Sequence, residues 1–206
     1  TGSISSSNSL VGSTTGQFLG ANGITMLTNG HYVVPNPGWD NGAVPDAGAA
    51  TWCNGTTGRT GTISSSNSLV GTTSGDMGNL IVVPLSNGNY VVVNTNWDNG
   101  AITDVGAVTW CNGTTGRTGT VSSSNSLVGS TAFDIVGAGG ATALSNGHYV
   151  VNSYAWDNGA INSAGASTWC DGTSGRTGTI SSSNSLVGSS TDDNVGVTTV
   201  ALPNGN

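Results

Sequence analysis

The chain has 206 residues, only 6% of them charged, and a net charge of −7. Its ten acids are all aspartate, its three bases are Arg59, Arg117 and Arg176, and it has neither glutamate nor lysine. Phosphate binding needs clustered Lys and Arg, so this balance argues against nucleic acid and anionic membrane surfaces; it deprives helices of their usual surface residues, and no run of about 18 apolar residues suggests membrane insertion.

The segment SSSNSLVG starts at Ser5 and returns at Ser64, Ser122 and Ser181, in steps of 59, 58 and 59 residues. Periods of this length point to propellers or stacked arrays. The frame they set is one repeat domain over 1–206, with units 1–59, 60–117 and 118–176 and a half unit 177–206.

Each unit is expected to hold four short strands. The first is GTISSSNSLVG, with apolar Ile63, Leu69 and Val70. The second and third flank an Asn-Gly turn, as in ATALSNGHYVV from Ala141 to Val151, where positive φ angles permit a tight hairpin. A turn WDNGA follows at Trp39, Trp97 and Trp156, and GAVTWC, from Gly106 to Cys111, forms the fourth strand. NGTTGR or DGTSGR then returns the chain to the next unit. These elements predict an all-β fold of tandem four-stranded antiparallel units, β-propeller-like, with about 3.5 blades.

The run FDIVGAGGATALSNGHYVVNSYAWDNGAINSAGASTW is similar to an FG-GAP repeat, the blade unit of integrin-type β-propellers. The matching positions are Val136-Gly137, Val150-Val151, Asp157 and Ala164-Gly165-Ala166, with counterparts at Met77-Gly78, Val92-Val93, Asp98 and Val105-Gly106-Ala107. What the resemblance implies is a propeller blade per unit. The family's Gly-Ala-Pro after Val-Val is absent, and one Asp per turn falls short of the six or more oxygens calcium requires, so no metal is expected. Composition and repeat style also resemble the tandem repeats of large bacterial exoproteins of the adhesin kind. They imply a secreted or cell-surface bacterial location.

The WDNGA turns carry the functional expectation. Asn-Gly makes the turn, and Asp can cap it. Trp beside Asp and Asn also offers a flat apolar face and planar hydrogen-bonding groups, which is what a sugar ring needs. The candidate glycan-binding residues are therefore Trp39, Asp40 and Asn41, Trp97, Asp98 and Asn99, and Trp156, Asp157 and Asn158. Three weak copies would bind strongly together.

Other repeated residues read as structural. Trp52, Trp110 and Trp169, and Tyr32, Tyr90 and Tyr149, fit a core better than a ligand platform. Cys53, Cys111 and Cys170 are expected as small buried hydrophobes, ahead of intermolecular crosslinks or reactive thiols. Each Arg is expected to be structural, with a pairing to Asp40, Asp98 or Asp157 as one way to lock units together. His31 and His148 share a position with Asn89, which a general base would not tolerate, so they read as exposed turn residues. No catalytic grouping, cofactor motif or metal-ligand cluster appears. The expected function is a non-enzymatic, multivalent carbohydrate-binding module of the adhesin type, with glycans or other cell-surface ligands as partners. The alternative is a purely structural repeat that self-assembles into a fibre, matrix or homo-oligomeric ring.

Overall fold

Asn-Gly turns set the hairpins from which the fold grows. In the computed structural model, which describes residues 2–202, Gly30, Gly88 and Gly147 sit at φ of 86°, 90° and 92°. Only glycine reaches such angles without a steric cost, and the tight turn folds the flanking apolar segments onto each other.

Strand β1 (Leu10–Val11) comes first, and β2 (Thr25–Met26), β3 (Tyr32–Asn36) and β4 (Ala49–Cys53) then form an antiparallel meander. Two short strands follow, β5 (Gly61–Thr62) and β6 (Leu69–Val70), and lead into a second meander of β7 (Leu80–Pro84), β8 (Tyr90–Asn94) and β9 (Ala107–Cys111). The pattern recurs as β10 (Gly119–Thr120) and β11 (Leu127–Val128), then β12 (Ala141–Ala143), β13 (Tyr149–Ser153) and β14 (Ala166–Cys170). It closes with β15 (Gly178–Thr179) and β16 (Leu186–Val187).

Each meander gains an antiparallel strand from the Leu-Val segment after it: β6 on β4, β11 on β9 and β16 on β14. The Gly-Thr strand one period further on adds in parallel, β10 on β6 and β15 on β11, as β5 does on β1. The sheets are therefore β10-β6-β4-β3-β2, β15-β11-β9-β8-β7, β12-β13-β14-β16 and the pair β1-β5. The fold is all-β and built of small tandem sheets, as expected for propeller-like leaves. Each five-stranded leaf takes residues from three successive sequence units.

One expected strand divides in two. GTISSSNSLVG is not continuous, because an asparagine side chain bends it back. Asn67 Oδ1 accepts the Ser64 N–H at 2.9 Å, and its Nδ2 donates to the Thr62 carbonyl at 2.8 Å. Asn8, Asn125 and Asn184 repeat the arrangement. Such side-chain bonds compete with the ladder and favour a turn. Gly61–Thr62 and Leu69–Val70 thus serve two different sheets.

Alternation along β8 shows where the core lies. All five of its residues are buried. Tyr90 and Val92 join a cluster with Val33, Ala50 and Leu69 of the first leaf, whereas Val91 and Val93 join Tyr149 and Val151 of the third. Successive side chains of a strand point to opposite faces, so the middle leaf is sandwiched between its neighbours. Ile63, Val121 and Ile180, each just after a Gly-Thr strand, are buried as well.

Candidate functional site

Strands β3, β8 and β13 all run from an Asn-Gly hairpin to a WDNGA turn, and β4, β9 and β14 run back. The molecule therefore has two rims. One carries the WDNGA turns and the loops after each Leu-Val strand, with nine of the ten aspartates and no basic residue. The other carries the hairpins and the Asn54–Arg59, Asn112–Arg117 and Asp171–Arg176 turns, with all three arginines, both histidines and Asp171. Five-residue strands hold the rims about 17 Å apart, roughly two screening lengths at physiological salt.

On the acidic rim the sequence motif is turned inward. Trp39, Trp97 and Trp156 are each 3% exposed and belong to the core, so none offers a face on which a pyranose could stack. This corrects the expectation of an aromatic sugar platform: the indole fills the space between leaves. The carboxylates are used to shape the turn. Asp40, Asp98 and Asp157 accept the backbone N–H of Asp46, Asp104 and Ser163 at 2.8–2.9 Å. Asn41 and Asn158 donate to the Gly71 and Gly188 carbonyls, and the exposed Asn99 closes its turn through backbone bonds with Ile102. The Thr14 hydroxyl, then the Asp46 N–H, hold the Asp40 carboxyl below its ordinary range. This small contribution to stability is present above the ordinary Asp range and is lost as pH falls through the lowered value. Asp104 shifts the other way, through burial and then the neighbouring charge of Asp98.

Sequence reasoning missed the carboxylates beneath these turns. Asp76 and Asp134 are fully buried. Asp134 accepts the N–H groups of Ser130, Thr131 and Asp157 at 2.6, 2.8 and 3.0 Å, and Asp76 accepts those of Thr72, Thr73 and Asp98. Each ties the loop after a Leu-Val strand to the next WDNGA turn. The signal was present: Gln17, Asp76, Asp134 and Asp193 stand six residues after the Val of each Leu-Val-Gly. Gln17 keeps the role of acceptor, taking the Ser13 N–H at 2.8 Å.

The hairpin rim holds the joints between repeats. Asn29 Nδ2 donates to the carbonyls of Gly88 and Gly113, at 3.1 and 2.8 Å, and Asn87 Nδ2 repeats this with Gly147 and Gly172. Trp52 Nε1 reaches Gly113 and Trp110 Nε1 reaches Gly172, both at 2.9 Å. The Thr28 and Ser86 hydroxyls donate to Leu85 and Leu144. Glycine is needed at 113 and 172 because a Cβ there would overlap the carbonyl oxygens of Gly88 and Gly147. Every one of these bonds runs from one repeat to the next, across 57 to 85 residues of sequence.

Arg and Asp do not pair as expected, since strand-length separation keeps Arg59, Arg117 and Arg176 from Asp40, Asp98 and Asp157. Instead the guanidinium groups donate to the Trp52, Trp110 and Trp169 carbonyls at 3.4, 3.4 and 3.1 Å. His31, Asn89 and His148 are half-buried rather than exposed, and they share one task. His31 Nδ1, Asn89 Oδ1 and His148 Nδ1 accept the N–H of Gly55, Gly113 and Gly172 at 3.0, 2.9 and 3.1 Å. That shared acceptor is why Asn replaces His.

The three cysteines are free and buried. Burial pushes the Cys111 and Cys170 thiols up to about 12, and raises Cys53 as well. A thiol so shifted is scarcely ionised near neutrality and is a poor nucleophile. Among the described residues no group of three or more His, Cys, Asp or Glu converges, and no helix is long and apolar enough to cross a membrane.

A family model described as a repeat of unknown function (DUF5650) matches residues 1–21, 26–79, 84–138 and 143–197. No curated protein matches the chain. The four matched segments cover most of the sequence and recur with its period, and on that ground the chain belongs to the DUF5650 repeat family.

Proposed function

We propose that the chain is a non-enzymatic structural repeat of an exported bacterial protein, a stiff spacer in which each unit is fixed to the next. The observation that carries this reading is the seam itself: Asn87 and Trp110 of one repeat spend their donors on Gly147 and Gly172 of the following one, as Asn29 and Trp52 do a repeat earlier. These side-chain donors lie on one repeat and their acceptors on the next, so the contact is heterologous and further copies add in one direction, the geometry of fibres and matrices. Export is supported by a Lys-free surface rich in Ser, Thr, Asn and Gly.

Glycan binding falls behind because its three indoles are enclosed. Two measurements separate the readings. Combining Asn87→Ala with Trp110→Phe should split a single unfolding transition into two while a glycan array stays blank. A chain that binds glycans and keeps one transition in the double variant would favour the carbohydrate reading.

A further inference from the structure

The seams between repeats differ in how the accepting glycine is held. Gly113 and Gly172 each receive the inter-repeat donors on their carbonyls, and each has its N–H held by a side chain of its own repeat. For Gly113 that side chain is Asn89, which does not titrate; for Gly172 it is His148. An imidazole nitrogen accepts a hydrogen bond only while it carries no proton. Beside His148 stands Asp171, its Oδ1 3.7 Å from Nδ1. The corresponding residues in the first two repeats, Asn54 and Asn112, are neutral. Only the third repeat combines His with Asp.

We propose that His148, Asp171 and Gly172 form an acid-responsive latch on the seam between the second and third repeats. At neutral pH, Nδ1 accepts the Gly172 N–H and steadies the residue whose carbonyl takes Asn87, Asn89 and Trp110. On acidification Nδ1 takes a proton from solvent. Its new N–H faces the Gly172 N–H, donor against donor, and turns to the Asp171 carboxylate instead. The Thr173 hydroxyl and N–H, both 2.7 Å from Asp171 Oδ1, hold that carboxyl below its ordinary range, so it stays ionised to receive the imidazolium. Trp169, with ring centres 4.9 Å from the imidazole, is uncharged, as are Asn87, Asn89 and Trp110 of the second repeat, which donate to the Gly172 carbonyl. The cation of the turn, Arg176, is bonded to the Trp169 carbonyl. His31 makes the same bond to Gly55 but has Asn54 beside it, so it lacks the second partner.

The latch acts on the seam assigned above, and its test is independent of that assignment because it reads one amide. In the 206-residue chain, the exchange protection of Gly172, corrected for intrinsic rate, is measured between about pH 8 and about pH 5, where histidine titrates, with Gly113 as internal reference. Gly172 protection should fall about fivefold relative to Gly113, the worth of one hydrogen bond. His148→Asn, which copies the second repeat, should abolish the fall and keep the protection seen at pH 8. Asp171→Asn should shift the fall to lower pH. Imidazole nitrogen shifts should show Nδ1 unprotonated at the upper pH. Unchanged Gly172 protection, a fall that persists in His148→Asn, or an unmoved midpoint in Asp171→Asn would overturn the proposal.

Discussion

Trp97 and Trp110 belong to the same repeat yet differ in what their indole nitrogens meet. Trp97 is 3% exposed and its Nε1 is buried without a protein partner, as are those of Trp39 and Trp156. Trp110 is only half-buried, and its Nε1 donates across the seam to Gly172. The conspicuous motif, WDNGA, thus serves the interior of a repeat, while an unremarkable Thr-Trp-Cys joins repeats together. Trp169, at the equivalent place in the third repeat, is 47% exposed.

The sharpest way to break this contrast is Trp97→Ala, which empties a space filled by a core indole and should cost about 3–5 kcal/mol in chemical denaturation. Asp134→Ala comes next. It strands three N–H groups that one buried carboxylate holds, for a loss of about 3 kcal/mol in the same assay. Asn87→Ala removes two bonds across one seam and should cost about 2 kcal/mol, with a broadened transition as its signature. The phenylalanine pair sharpens the comparison. Trp110→Phe forfeits a made hydrogen bond, worth about 1 kcal/mol beyond the smaller ring, whereas Trp97→Phe deletes an unmade one and should cost only what the lost ring volume costs. The smallest effect is a gain. Phe133 is exposed and sits at φ 65° where Gly16 and Gly75 stand in the earlier repeats, so Phe133→Gly should stabilise by about 0.5–1 kcal/mol, read as a higher melting temperature.

The repeat, the Asn-Gly hairpins and the Val-rich central strands were legible in the sequence because each rests on local chemistry: a glycine at positive φ, or a pleat that fits branched side chains. The Ser-rich segment was misread because its outcome depends on Asn67 bonding back to Thr62, a contest between side chain and ladder that apolar spacing does not register. Burial of Trp39, Trp97 and Trp156 was not legible either. Trp97 shares its buried cluster with Met77 and Val128, which come from other segments of the chain and only topology brings together. Arg and Asp looked like partners by type, and strand direction separates them. Asn89 at the position of His31 and His148 argued against a general base, but the task the three share, a lone pair offered by imidazole and amide alike, needed the geometry.

Cys53, Cys111 and Cys170 place one concealed thiol in each repeat, which makes the coupling between repeats directly measurable. Thiol labelling is followed in low denaturant, for the unaltered chain and for Asn87→Ala. If the seam carries the architecture, Cys111 and Cys170 open with the same free energy in the unaltered chain and come apart in the variant. Two thiols that already open independently in the unaltered chain would contradict it.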